Sequence, residues 1–203
     1  DILKNEKPTH LAIVFDPPGP TFRHETFPEY KANRDEPPED TRASIPHVYA
    51  MAEAMRIPTI TEPGFEADDR IGYLSVLAEK EGFDVYMMTP DKDYAQLVTE
   101  KVRMYRPGRQ GNPAQVWGPA EVCERFGIED PMQVIDLLGL MGDSADNIPG
   151  VPGIGPKTAA KLLSKYGSME TLLDSTAELK GKQKENLENF REQALLSKHL
   201  ATI

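Results

Sequence analysis

The sequence predicts an α/β domain, with a mostly parallel twisted sheet flanked by helices, followed by an all-α subdomain. Three observations carry that expectation. Short apolar runs bounded by turn residues alternate with helix-period patterns, the sign of a parallel sheet with crossover helices. Acidic residues stand directly after two of the runs, Asp16 after LAIVF, and Asp91 and Asp93 after FDVYMMT. Near residue 130 the strand patterns stop and only helical ones remain. The expected division is 1–130 for the α/β unit and 131–203 for the helical one.

LAIVF (11–15) is the first strand and ends at Asp16. The segment 17–45 is rich in proline and carries Phe22, Arg23, Phe27, Tyr30, Lys31 and Arg34. Its prolines rule out a long core helix, and its length marks a functional or mobile loop. A helix is expected over 43–56, with Ile45, Val48, Ala52 and Met55 near helical spacing. IPTIT (57–61) reads as a short strand and Pro63-Gly64 as a turn. The next helix starts near Glu66, carries Ala67, Ile71, Leu74 and Ala78 as a core-facing stripe, and ends at Gly82. FDVYMMT (83–89) and KVRMY (101–105) are strands, with a short helix near 93–98 between them. Helical patterns follow at 119–126, 131–142, from Lys157 onward, at 168–174 and at 183–200. Trp117 and the methionines read as core, and Cys123 as a buried, inert thiol.

Hydrophobic residues make up 39% and charged residues 28%, which suits a soluble globular protein. No apolar run approaches the ~18–20 residues that cross a bilayer, so no membrane partner is expected. DILKNEKPTH at the N-terminus lacks the apolar centre of a signal peptide. A single cysteine leaves no internal disulfide and no thiolate zinc cluster, so a reducing cytoplasm is the expected compartment. His10, His24, His47 and His199 show no metal-ligand spacing, and neither a Ser/His/Asp arrangement nor a Walker-type loop stands out. A net charge of −10 taken alone disfavours nucleic acid.

That last inference holds only if the acids are free. Four clusters collect eight carboxylates: Asp16; Glu66, Asp68 and Asp69; Asp91 and Asp93; Asp143 and Asp146. The sites directly after strands lie at the edge where open α/β sheets bind ligands. Glu66 and Asp69, like Asp143 and Asp146, are i, i+3 neighbours. Acids in a first helical turn also stabilise the helix dipole, and Asp-x-Asp after a strand also caps a helix. A shared metal site explains all four clusters at once, whereas a cap explains each singly. Hard oxygen donors without His or Cys suit Mg²⁺ or Mn²⁺ rather than Zn²⁺. Eight acids exceed the needs of one Mg²⁺ and fit two ions roughly 4 Å apart, the arrangement that cuts phosphodiesters. Setting those eight aside takes the charge from −10 to −2.

PGVPGIGPKTAAKLL (149–163) is the second signal. Gly153 and Gly155 flank Ile154 in a tight turn, and Pro156 suits the first position of the next helix. Turn and helix N-terminus offer free backbone N–H groups to an anion, with Thr158 beside them. Lys157, Lys161 and Lys165 form an i, i+4, i+8 stripe while Leu162, Leu163 and Tyr166 face inward. The pattern suits a sequence-independent grip on a phosphate backbone; its bland alternative is a loop with a solvated lysine face.

Four stretches, VFDPPGPTFRHETFPEYKANR, GFEADDRIGYL, MMTPDKDYAQLV and GLMGDSADNIPGVPGIGPKTAAKLL, resemble the 5′ nuclease domain of bacterial DNA polymerase I, in the flap endonuclease superfamily. Order, spacing and residue types agree from about residue 10 to 167, and the helical tail looks similar. The resemblance implies a PIN-like nuclease fold with a helix-hairpin-helix subdomain. It implies a Mg²⁺-dependent 5′-3′ exonuclease and flap endonuclease acting on branched, flapped or nicked duplex DNA and RNA primers. By that resemblance Asp16, Glu66 and Asp68 look like ligands of the first metal, and Asp69, Asp91, Asp93, Asp143 and Asp146 like ligands or outer acids of the second. Arg23, Lys31 and Arg34 lie in an arch-like segment, with Lys31 and Arg34 steadying the scissile phosphate. Gly153, Gly155, Lys157, Thr158 and Lys161 belong to the duplex-gripping hairpin, often with K⁺. A monomer at the bacterial nucleoid, whose parent chain carries a polymerase domain, is expected. Family members open on an apolar strand with a further metal-binding Asp, then a helix. This chain opens on what reads as the end of the next helix, so it reads as a piece of a larger protein with a weakened first metal site. Three rivals stay open: a branched-DNA-binding module without catalysis, a PIN-like ribonuclease, and an Asp-nucleophile phosphatase. The ribonuclease would not need the GIGPK hairpin. The phosphatase needs Asp-x-Asp after the first strand, where Asp16 is followed by Pro-Pro-Gly.

Overall fold

A computed structural model gives the protein's structure over residues 2–108 and 113–203. The chain runs α1 (Ile2–Asn5), β1 (Ile13–Val14), α2 (Phe22–Thr26), α3 (Glu39–Ala54), β2 (Thr59–Ile60), α4 (Ala67–Lys80) and β3 (Val85–Met88). A 3₁₀ turn (Asp93–Leu97), β4 (Val102–Arg106), β5 (Gln115–Trp117), α5 (Pro119–Phe126) and α6 (Gln133–Met141) follow. The chain ends with α7 (Pro156–Tyr166), α8 (Met169–Asp174), a second 3₁₀ turn (Thr176–Glu178), α9 (Gly181–Asn189) and α10 (Arg191–Ala201). An α/β half followed by a helical half is the architecture expected. The end of a helix read in DILKNEKPTH is α1, with Asp1 outside the described residues.

The expected strands are shorter than their apolar runs, and among the described residues the sheet is in two pieces. β1 pairs with β2 in parallel, Ile13 opposite Thr59 and Val14 opposite Ile60. β3 pairs with β4 in parallel, from Val85–Val102 to Met88–Tyr105. β5 then adds antiparallel to β4 through Met104–Trp117. No strand was expected at β5, where only Trp117 drew notice. Three residues are too few to show a period, and the strand is held by pairing and by Trp117, whose ring lies between the guanidiniums of Arg106 and Arg125 at 4.5 and 4.6 Å.

The core runs from the β3–β4 sheet (Met87, Val102, Met104) through α6 into α7, α8 and α10. Val134 to Leu140 of α6 are buried on every side, the mark of a central helix. α6 packs chiefly against α10 and α7. Leu162 and Leu163 of α7 point inward as expected, and Lys157, Lys161 and Lys165 outward. Four local expectations are corrected. α3 begins at Glu39, and of its proposed stripe only Ala52 is buried, while Ile45 and Met55 are 43% and 50% exposed. On α4 the stripe is half-buried, and the residues fully covered are Gly72 and Ser75. The single helix expected over 183–200 is two, broken at Phe190, whose ψ is 24°. Cys123 is half-buried rather than buried, and burial, with Asp130 nearby, pushes its thiol up in pKa.

Backbone contact at one point sets where Asp143 stands. Asp143 N–H donates to Ile148 O and Ile148 N–H donates back to Asp143 O, at 2.9 and 2.7 Å, closing the acidic loop. Gly142 and Gly150 flank it with φ of 71° and 60°. A Cβ on Gly150 would lie 2.7 Å from Gly142 Cα, so this crossing admits no side chain. Gly150→Ala is expected to lower stability by roughly 2 kcal/mol or more, a Tm fall of about 4–8 °C, through strain and overlap. Gly155→Ala, at φ −98° with nothing within 4 Å, is expected to lose less than about 1 kcal/mol. Thermal unfolding of both variants checks the contrast.

Candidate metal-dependent site

Four elements carry the eight acids to one region. Asp16 follows β1 and reaches the start of α4, accepting from Ala67 N–H at 2.7 Å. Glu66 is the N-cap of α4 and is buried. Its Oε1 takes Lys31 Nζ at 2.7 Å and its Oε2 the Tyr30 hydroxyl at 3.0 Å. Asp146 shares both partners, with Tyr30 at 3.2 Å and Lys31 at 3.7 Å, and also holds Arg34. Asp68 accepts from the Tyr94 hydroxyl at 2.5 Å. Asp143 is buried, and Lys92 bridges it to Asp93. Asp91 is exposed and accepts from Asp93 N–H at 3.0 Å, an Asx turn that sets the start of the 3₁₀ turn.

Two expected residues are placed differently. Asp69 faces Arg23, which holds it with two hydrogen bonds of 2.8 and 2.7 Å, and Asp69 Oδ2 also accepts from Glu66 N–H. Arg23 is 2% exposed and turned into the protein, away from any phosphate in solvent. Lys31 and Arg34 do stand at the acids. The base of the arch-like segment is docked on the Asp143–Asn147 loop: Lys31 N–H donates to Asp146 O, Asn33 Nδ2 to Ser144 O, and Asn147 Nδ2 to Glu29 O. Lys31 adopts a φ of 55° to do so. Tyr30, Lys92 and Tyr94 were not singled out as site residues. The available signal was adjacency: Lys92 stands between Asp91 and Asp93, Tyr94 follows them, and Tyr30 precedes Lys31.

The electrostatics call for more positive charge. Burial first, then repulsion from Asp91 and Glu66, pushes Asp68 up to about 6 although the Tyr94 hydrogen bond opposes it. Burial first, then Asp91 and Asp143, pushes Asp93 up to about 7 against the pull of Lys92. Asp93 Oδ1 is buried and makes no hydrogen bond, with Lys92 Nζ 3.4 Å away. Eight carboxylates meet four cations, Arg23, Lys31, Arg34 and Lys92, a formal surplus of four negative charges that the raised Asp68 and Asp93 partly relieve by holding protons. Oxygen donors, an orphaned buried oxygen and that surplus fit two hard divalent cations. Among the described residues no three acids are yet gathered tightly enough to hold an ion, since Lys31 and Lys92 lie between them.

The hairpin lies in the helical half. Gly153 is exposed with φ 79°, Ile154 is buried beneath it, and Gly155 is the N-cap of α7. Lys157 and Lys161 form no ion pair among the described residues and face solvent, with Thr158 half-buried between them. Lys165 instead pairs with Glu178 at 3.0 Å, so the free stripe is two lysines long.

Comparison with known proteins agrees with both halves. Residues 1–127 match the family described as 5'-3' exonuclease, N-terminal resolvase-like domain, and residues 129–203 the one described as 5'-3' exonuclease, C-terminal SAM fold. DNA polymerase I of Bacillus subtilis (strain 168) is 46% identical over 203 residues, all of this chain and 23% of that protein. DNA polymerase I of Bacillus caldotenax is 45% identical over the same span and share. The chain thus spans about a quarter of the length of these relatives. A structure of T5 5'-exonuclease with divalent zinc superposes with a TM-score of 0.82 at 26% identity, over 98% of this chain and 76% of that one. The T5 D15 flap endonuclease, in a pseudo-enzyme-product complex with DNA and metal ions, gives 0.82 at 27% identity over the same shares. The resemblance seen in the motifs is borne out, and the chain belongs to the 5'-3' exonuclease family.

Proposed function

We propose that this chain is the 5′ nuclease part of a DNA polymerase I. It hydrolyses phosphodiesters of 5′ flaps, nicked strands and RNA primers in replication and repair, with two Mg²⁺ ions that Mn²⁺ replaces. The observation that carries the reading is the meeting of acids from four elements with the cations of the arch-like segment. The named relatives and the T5 enzymes with metal and DNA support it. When bound, paired divalent ions clamp the attacking and leaving oxygens of a phosphodiester. The remaining work belongs to the chain itself. Glu66 and Asp146 share Lys31, and Asp93 and Asp143 share Lys92, so each cation holds two acids in place. Lys31 and Arg34, held at the site by the docked arch base, present positive charge to the scissile phosphate. The N–H groups of Gly153 and Gly155, with Lys157, Thr158 and Lys161, hold the duplex backbone without reading its sequence, while Ile154 N–H is spent on Val151 O; K⁺ at that turn belongs to the same reading. The protein works as a monomer on the nucleoid of a bacterial cytoplasm, joined to its polymerase domain.

One observation favours a second reading, a branched-DNA-binding module without catalysis: the acids are parted by lysines as they stand. Cleavage of a 5′-flap substrate by the intact parent protein separates the two. Asp91→Asn and Asp143→Asn are each expected to lower Mg²⁺-dependent cleavage by about 100-fold or more. Unchanged cleavage in both would sink the nuclease assignment. For the hairpin, the double change Lys157→Ala, Lys161→Ala is expected to weaken flap binding equally for unrelated sequences. The slope of log affinity against log salt should become shallower by about two, one unit per lost phosphate contact. A weakening that depends on sequence would remove these lysines from the backbone grip.

A further inference from the structure

α10 ends at Ala201, and the last carbonyls of any helix lack partners within it. Here they are met by Arg23 of α2 and by Gln96 of the 3₁₀ turn that starts at Asp93. Arg23 Nε donates to Leu200 O at 2.8 Å and Nη2 to Thr202 O at 2.6 Å, while the same guanidinium holds Asp69. Asp69 in turn accepts from Glu66 N–H, so Arg23 grips the first turn of α4. Gln96, in the 3₁₀ turn that starts at Asp93, donates from Nε2 to Ala201 O and accepts from Ile203 N–H, both at 2.9 Å. Arg23 and Gln96 are each 2% exposed. Farther along, α10 grips the backbone beside the hairpin: Gly150 N–H donates to Ser197 Oγ at 3.0 Å and Gln193 Nε2 to Gly150 O at 2.7 Å. Lys198 pairs with Asp136 of α6, the helix that leads into Asp143. One helix thus touches the hairpin loop and two of the four acid-bearing elements, and reaches a third, the Glu66–Asp69 turn, through Arg23.

We propose that Arg23 and Gln96 are positioning residues. They fix the Glu66–Asp69 turn and the Asp91–Asp93 turn to one four-residue stretch, 200–203, so that acids from separate elements keep a common spacing. The proposal rests on the metal-dependent nuclease reading above. It gives Arg23 a role other than phosphate contact: its forked donors are spent on two carbonyls and a carboxylate inside the protein. A lysine, with a single ammonium, cannot reproduce that fork. The plainer alternative is that both side chains only cap α10 and stabilise the fold.

The test uses the intact parent protein as wild type, Arg23→Lys and Gln96→Met. Mn²⁺ binding is followed by electron paramagnetic resonance without DNA, and flap-DNA affinity by anisotropy without metal. Both variants are expected to weaken Mn²⁺ binding by roughly 10- to 100-fold, as outer partners of metal ligands do, with metal-free DNA affinity unchanged. A folded variant that binds Mn²⁺ like wild type, even with a lowered Tm, overturns positioning in favour of capping alone. Lost DNA affinity with unchanged Mn²⁺ binding makes Arg23 a phosphate ligand and overturns it too. If Arg23→Lys does not fold, Gln96→Met, which keeps volume and removes all three hydrogen bonds of Gln96, the one from Nε2 to Asp93 O at 3.0 Å included, decides in the same way. No Mn²⁺ binding by wild type would overturn the nuclease reading and this inference together.

Discussion

The constraint beneath this structure is repulsion among carboxylates. Two like charges 4 Å apart in an effective dielectric of 20 repel by about 4 kcal/mol. A few such pairs equal the whole stability of a domain, about 5–15 kcal/mol. Eight acids on four elements therefore require cations between them. Lys31 between Glu66 and Asp146, and Lys92 between Asp93 and Asp143, meet that requirement across elements far apart in sequence. The arch-like segment is docked for the same reason. Its cations are needed where the acids are, and the hydrogen bonds from Lys31, Asn33 and Asn147 hold them there.

The helical half does more than carry the lysine-flanked hairpin. α6 is buried all round and delivers Asp143 through the crossing of Gly142 and Gly150, where backbone meets backbone. α10 packs along α6, and its last carbonyls tie down Arg23 and Gln96. Since one core cluster runs from β3 and β4 to α10, the acids of the α/β half are framed by the helical half.

What the sequence made legible was whatever depends on near neighbours. Glu66 as a helix start, Asp91 and Asp93 after a strand, and the α5 and α8 helices follow from local caps and periods. The positions of the four acid clusters were legible for the same reason. Arg23 was not: it reads as a loop cation, yet its partners lie 46, 177 and 179 residues away, and only the folded chain brings them to it. The α3 stripe fails differently. Period gives a face of a helix but not whether anything covers it, and Ile45 and Met55 remain exposed. β5 was too short to show a period at all.

The net charge of −10 bears on how such a protein meets DNA. In the proposed reading a phosphate backbone would be drawn to Lys157 and Lys161 on α7 but repelled by the formal surplus of four charges at the acids. Lys31 cannot relieve this alone, because it is 18% exposed and already spent on Glu66 and Asp146. If it turned toward a phosphate, Glu66 would keep only the Arg23 guanidinium, at 3.5 Å, and Asp146 only Arg34. Two divalent cations match the surplus of four. Under the proposed two-metal reading, filling the site and freeing Lys31 for phosphate would be the same electrostatic event, so the approach of the scissile phosphate would need metal as well as its cleavage.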